Sequence, residues 1–391
     1  MIVLFVIGLT GATMFVLGVL HVPFGVSVAV AGLACVAWGT HFSRSGPAGA
    51  GARFRVPKLP VVLAAIPLLA IAFTAATVPL NDFDGRAFWL LKAKALATER
   101  AIDGPFFHGQ EPRNQYPLLM PLDASLLMIA TGTPDDRYAR WLYVLTFAAF
   151  VLLIGRRLGP WYAAILAWLP QFAFVSEGSA LSGYSDIAVA AFVAGGFIEL
   201  IDARSPIRFG FWLSFLVLTK NEGLPIAVIL FIAGAFVFRR RVALSAIPLV
   251  VAVAALFTWR SGIPKTDEEN YIALLPSLPT HLDRLPSAIV ESAKHLFYVA
   301  NWGLFWIAAV IALTLLAWRR EWLAPAVVAS MAALYIGAYV VTQWAMPELI
   351  AVSADRLLMQ MIGPALYAIS RCGPSVPVGP HKIDVTRRDV H

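Results

Sequence analysis

Long apolar runs separated by short polar ones leave this chain little choice of fold. A helix that crosses a bilayer needs roughly 20 apolar residues, with about 17–25 the usual range, because the hydrocarbon core is about 30 Å thick. Runs of this kind occupy residues 2–20, 24–40, 60–79, 138–154, 161–176, 185–201, 208–219, 224–238, 242–258, 298–318, 322–344 and 357–370. A backbone in lipid has to satisfy its own polar groups, so such runs predict helices. The expectation is an all-α polytopic membrane protein with about twelve transmembrane helices. Two runs, 208–219 and 357–370, are short enough to be half-helices. The chain is 59% hydrophobic and 14% charged, with a mean hydropathy of +0.75. A soluble domain is about half apolar and a quarter charged, so that class is excluded.

Residues 2–20 lack a basic leading segment and a small-residue cleavage site, and a second apolar run follows at once. They read as a retained helix rather than a signal peptide. The expected organisation is an N-terminal transmembrane hairpin over 1–40, a main transmembrane module over 60–370 containing an outer loop at 80–137, and a cytoplasmic tail over 371–391. A Gly/Ala-rich linker at 46–52 separates the first two. Cys35 and Cys372 form no disulfide framework.

One further run, 117–132, begins YPLLMP and carries Asp123, and the positive residues decide its role. If it spanned, Arg156 and Arg157 would face away from Arg44, Arg53, Arg55 and Lys58, and Arg239–Arg241 and Arg319–Arg320 would be misplaced too. Laid instead at the interface, it lets every compact basic cluster fall on one side, together with Arg371, Lys382, Arg387 and Arg388. The positive-inside rule prefers the second arrangement and puts both termini in the cytoplasm. The acids agree: of 23 Asp and Glu, only Glu199, Asp202, Glu321, Asp384 and Asp389 fall in or beside cytoplasmic segments. The net charge of +7 therefore reports topology rather than affinity for nucleic acid. The outer loop lies away from ATP and nucleotide sugars.

That loop opens with Asp82 and Asp84, just past the end of an apolar run. In extended chain, residues i and i+2 point to one side, so the two carboxylates would converge. Either could remove a proton from an incoming hydroxyl, and Asp84 could also cap the helix that begins at Gly85 or Arg86. From Gly85 to Arg100 an amphipathic helix presents Lys92, Lys94 and Arg100, which read chiefly as snorkelling cations. His108, Glu111, Arg113, Gln115 and Tyr116 then form a polar cluster before Pro117, with too few ligands to argue for a metal. The turn SEGSALSGYSD ends in Asp186 at the top of a run, where a helix-capping role competes with pairing to a cation. Lys220, with Asn221 and Glu222, lies at an outer junction. Arg356, in SADRLLMQ, begins the last run and could bridge to Asp355. Cations reaching inward from helix ends suit a phosphate carried on a lipid. Apart from Glu199, no charge sits deep in a run, which argues against an ion-coupled transporter.

At these positions the chain resembles the GT-C superfamily of integral-membrane glycosyltransferases. The resemblance is to the family-39-like branch, which contains lipopolysaccharide galacturonosyltransferases, the lipid A aminoarabinose transferase and protein O-mannosyltransferases. It rests on DFDGRAFWLLKAKAL, NQYPLLMP, GYSDIAVAAF and the pair LTKNEG and DRLLMQMIGP, in that order. The resemblance implies a polyprenyl-phosphate sugar donor, an acceptor hydroxyl on a lipid, glycan or protein, outer-face chemistry and inversion at the anomeric carbon. It carries the base role to Asp84, with Asp82 as an alternative, and the second-loop acid to Asp186. Gln115 and Tyr116 stand where some relatives have an acid and a lysine. Lys220 and Arg356 are then left to hold the phosphate, with Glu222 and Arg86 beside the substrate. No cofactor or metal is implied. Gly, Ala and Pro usage fits a high-GC bacterium, so the expected location is the bacterial inner membrane. The same outer cations would also serve a carrier or flippase for a lipid-linked saccharide, without bond chemistry.

Overall fold

A computed structural model describes residues 1–44, 58–109, 113–173, 178–202, 205–265 and 271–373. The 46–52 linker, Arg53, Arg55, Glu111, Lys382, Arg387 and Arg388 lie outside the described residues. The described residues contain helices and no strand. The helices that matter for the argument are α1 (Ile2–Val19), α2 (Phe24–Arg44), α3 (Lys58–Thr77), α4 (Leu90–Glu99), α5 (Leu119–Thr131), α6 (Asp136–Arg157), α7 (Pro160–Trp168) and α8 (Asp186–Asp202). They continue as α9 (Pro206–Thr219), α10 (Gly223–Phe238), α11 (Ala243–Gly262), α12 (Leu285–Leu296), α13 (Phe305–Trp318), α14 (Leu323–Val341), α15 (Met346–Gln360) and α16 (Ile362–Cys372).

The apolar surface is what lipid requires. Leu69 and Phe73 on α3, Phe236 on α10 and Ile311 on α13 all stand exposed, a pattern that water would not tolerate over so many helices. The chain is a helical membrane protein. The count of twelve full-length spans, however, is not met. Among the described residues five helical runs are long and apolar enough to cross: Ile2–Val19, Lys58–Thr77, Asp136–Arg157, Gly223–Gly262 and Leu323–Val341. A sixth is added if α15 and α16 are one span bent by 53°.

Local chemistry accounts for the shortfall. The 161–176 run is interrupted at Leu169, which is extended because Pro170 follows it. The 298–318 run breaks at Gly303, whose φ is +55°. The 208–219 run forms a helix of 14 residues, a rise of about 21 Å. The bend between α15 and α16 precedes Pro364, which has no N–H to offer the Gln360 carbonyl. The Gly223–Gly262 run of 40 residues doubles back at the 3₁₀ turn Arg239–Val242. Gly234 on α10 and Ser245 on α11 both lie against the first turns of α9, at Phe209 and Gly210, while Arg260 at the far end of α11 reaches Asn221 just past α9.

The run 117–132 forms α5, which is 13 residues long and rises about 20 Å, short of a crossing. It does not lie flat on a surface as expected: Leu119, Met120, Leu122 and Ala124 are fully buried against α1, α4 and α6.

At the centre stands α8, buried from Asp186 to Leu200 and packed against α6, α9, α10, α15 and α16. Six of its 17 residues are Ala or Gly, which lets neighbouring backbones approach. Gly363 of α16 shows how closely: a Cβ there would lie 2.5 Å from the Ala194 Cβ. Two polar clusters cap α8 at its ends. One joins Glu199 to Arg208 at 2.6 Å and Asp202 to Arg157 at 2.6 Å; the other surrounds Asp186.

Gly363→Val is therefore expected to lower the melting temperature of the purified protein, at a cost of about 1–3 kcal/mol for overpacking. Gly337, whose added Cβ would meet nothing within 4 Å, is the control, and Gly337→Ala should leave the melting temperature unchanged or slightly raised. Equal melting temperatures for the two variants would argue against the tight α8–α16 contact.

Candidate functional site

The site is assembled from four stretches far apart in sequence, set beside a fifth, the 178–186 turn that holds Tyr184 and Asp186. The first holds Asp84. Residues 83 and 84 are already helical, and Asp84 has φ −62° and ψ −36°. Extended geometry is therefore absent, and the expected convergence of Asp82 with Asp84 fails. On a helix, residues two apart point to different faces. Asp82 is an electrostatic neighbour of Arg140 on α6, whereas Asp84 turns toward the other loops. Asp84 does not cap the helix with its side chain either. A π-helical turn, Gly85–Trp89, follows it, a local widening that often occurs at functional sites. Gly85 has no room for a side chain: a Cβ would lie 2.0 Å from the Ser182 carbonyl oxygen. That approach presses Asp84 against the second loop.

The second stretch is the turn at Arg113–Tyr116. Arg113 adopts φ +58°, an unusual conformation for a non-glycine residue. Its main chain is pinned there by Lys92, whose ammonium donates to the Arg113 carbonyl oxygen and lies 5.4 Å from the Tyr116 ring centre. Lys92 is only 1% exposed, so it braces the loop and does not snorkel. The Arg113 guanidinium stacks 4.4 Å above the Phe88 ring and donates to Asp84 Oδ2 at 3.2 Å. Gln115 is committed elsewhere, donating to the carbonyls of Arg260 and Ile263. Arg260 in turn donates to the carbonyl of Gln115 and to Asn221 Oδ1.

The third stretch is Arg356, on the loop-facing half of α15. Its guanidinium donates to the same Asp84 Oδ2 at 3.4 Å and lies 5.2 Å from the Tyr184 ring centre. Asp355, next to it, faces the other way. It accepts from His295, Asn301 and Trp302, so the Asp355–Arg356 bridge does not form.

The fourth is the junction at Lys220. Its ammonium donates to Asp186 Oδ1 at 2.8 Å and pairs with Glu222 Oε1 at 3.1 Å. Burial pulls the Lys220 ammonium down, but the Asp186 and Glu222 carboxylates more than offset this and leave it above its usual range. Gln360 donates to Asp186 Oδ1 at 3.3 Å and accepts from the Tyr335 hydroxyl at 2.7 Å. Asp186 Oδ2, Glu222 Oε2 and Arg356 Nε are buried without a hydrogen-bond partner among the described residues.

Of the residues expected from sequence, Asp84, Asp186, Lys220, Glu222 and Arg356 are brought together. Gln115 and Tyr116 support the loop behind Arg113. Arg86 is exposed and stands outside the cluster, because the π-helical turn faces Gly85 and Trp89 inward instead. Lys220 was expected to meet a phosphate, but it is buried and spent on two carboxylates. Arg113, Lys92 and Gln360 were not expected to shape the site. Gln360 carried a sequence signal, an amide one helical turn past Arg356 in an apolar run. Arg113 carried none beyond its place in a polar loop. Among the described residues no group of three His, Cys, Asp or Glu side chains could hold a metal ion. Comparison of the chain with protein-family models, curated proteins and solved structures finds no match.

The Asp186–Lys220 pair makes a testable statement about stability. Removing Lys220 leaves the buried Asp186 without its ammonium, so Lys220→Met should destabilise by about 3–5 kcal/mol, and Asp186→Asn, which leaves Lys220 paired with Glu222, should cost less. The double variant should recover a large part of that loss in a thermal-unfolding cycle. Additive losses would mean that the pair is not coupled.

Proposed function

We propose that the protein is a membrane glycosyltransferase that moves a sugar from a polyprenyl-phosphate donor to a hydroxyl of a lipid, glycan or protein. Asp84 acts as the base. Its carboxylate takes the proton of the acceptor hydroxyl, the acceptor oxygen bonds to the anomeric carbon from the opposite face, and the carbon–oxygen bond to phosphate breaks. The polyprenyl phosphate leaves with the bonding electrons, its charge stabilised by Arg356 and the cations around it. Preorganised charge of this kind usually contributes most to catalysis.

The observation that carries the reading is the grouping of Asp84 with Arg113 and Arg356, backed by Asp186 and Lys220, at one end of a lipid-facing helix bundle. Arg113 and Arg356 pair with Asp84, and Lys220 pairs with Asp186 and Glu222, while Lys92 and Arg260 brace the Arg113–Tyr116 turn through its carbonyl oxygens. In this reading the cluster faces the outer side of a bacterial inner membrane. The Arg157, Arg208, Asp202 and Glu199 end of α8 faces the cytoplasm with both termini, and the short helices complete twelve crossings as partial spans.

Asp84→Asn in reconstituted membranes is expected to reduce transfer from a polyprenyl-phosphate sugar by about 100-fold or more, the scale of a general base. Near-native turnover would refute the assignment to Asp84. Lipid movement with no glycosidic product from any such donor would favour the carrier instead.

A further inference from the structure

Two guanidinium groups converging on a single carboxylate oxygen is the arrangement that proteins use to hold an anion from solution. Here the anion is the chain's own. Arg113 and Arg356 approach Asp84 Oδ2 at 3.2 and 3.4 Å, one from the 113–116 turn and the other from α15, and both contacts are looser than a well-formed charge-assisted bond of about 2.7–2.9 Å. The three side chains are 17–34% exposed, in contrast to the sealed Asp186–Lys220 pair behind them. Arg356 Nε, buried and without a partner among the described residues, is a donor left over. Arg113 is held at φ +58° by Lys92, so its position is set by the loop and not by Asp84.

We propose that Arg113 and Arg356 form a seat for a phosphate monoester or diester, and that Asp84 occupies this seat until the ligand displaces it. The inference rests on the transferase reading only for its consequence: an arriving donor phosphate takes the two arginines and frees Asp84 to act as a base, so the base is released when its substrate is present. Phosphate wins the exchange because its several oxygens engage both guanidiniums and Arg356 Nε at once, where one carboxylate oxygen serves two.

The test is binding, read by thermal shift and by competition on the full-length protein in lipid nanodiscs, with farnesyl phosphate, inorganic phosphate and farnesol as probes. Farnesyl phosphate should bind the native protein, and Asp84→Asn, which removes the internal competitor, should tighten it about 10-fold or more. Asp82→Asn, which removes a charge two residues away, should change it less than about 3-fold. Arg113→Gln and Arg356→Gln should each weaken it about 10-fold. Inorganic phosphate that competes at similar strength identifies a phosphate seat indifferent to lipid. Competition only at far higher concentration identifies a lipid headgroup seat. Farnesol binding as tightly as farnesyl phosphate overturns the seat, as does equal tightening by the two aspartate variants. Native transfer activity without tightening in Asp84→Asn would sink the exchange and leave the transferase standing. Tightening in a protein that transfers nothing would do the reverse.

Discussion

A charge inside a lipid-facing bundle has to be paired, and the Asp186–Lys220 contact is where this fold meets that demand. Both groups are almost fully sealed from solvent. Asp186 begins the central helix α8, and Lys220 follows α9, so their attraction fixes the two helix ends to one another. Gln360 ties α15 to the same carboxylate, and Glu222 ties the start of α10 to the same ammonium. Four helix ends thus share one pair. A carboxylate and an ammonium in low dielectric attract strongly, but desolvation consumes much of that gain. The return is geometry: the pair decides how the loop-facing ends of the bundle are set.

Placement of the more open cluster depends on that geometry. Arg356 lies one helical turn before Gln360 on α15, so anchoring the amide also aims the guanidinium. Ser182, four residues before Asp186, receives Gly85 and brings Asp84 within reach. Arg113 arrives independently, braced by Lys92 from α4. The result is a rigid, buried ion pair beneath a looser, accessible one. Rigidity below and exchange above is a sensible division for a site that must bind a charged headgroup without coming apart.

The broad class was legible because lipid imposes a simple rule on composition, and the span lengths follow from it. What composition could not show was where a run stops being a helix. Leu169 before Pro170, Gly303 and the bend ahead of Pro364 each break a run that carries no charged residue. Five of the site residues were legible from one clue, a charge at the border of an apolar run, where a charge is costly unless it is used. The same clue misread Lys92, since a lysine on an amphipathic helix reads the same whether its tip reaches water or a buried carbonyl. It also paired Asp82 with Asp84 by assuming extended chain where the helix had already begun. Arg113 was hidden because its role depends on a left-handed backbone and on partners from two other stretches.

The most direct test of the account is a cryo-electron microscopy structure in lipid nanodiscs, solved with and without farnesyl phosphate. The account predicts that the Asp186–Lys220 contact of 2.8 Å persists in both states. The Asp84 contacts to Arg113 and Arg356 should be present without the ligand and replaced by phosphate oxygens with it. A phosphate bound elsewhere, with Asp84 still between the two arginines, would contradict it.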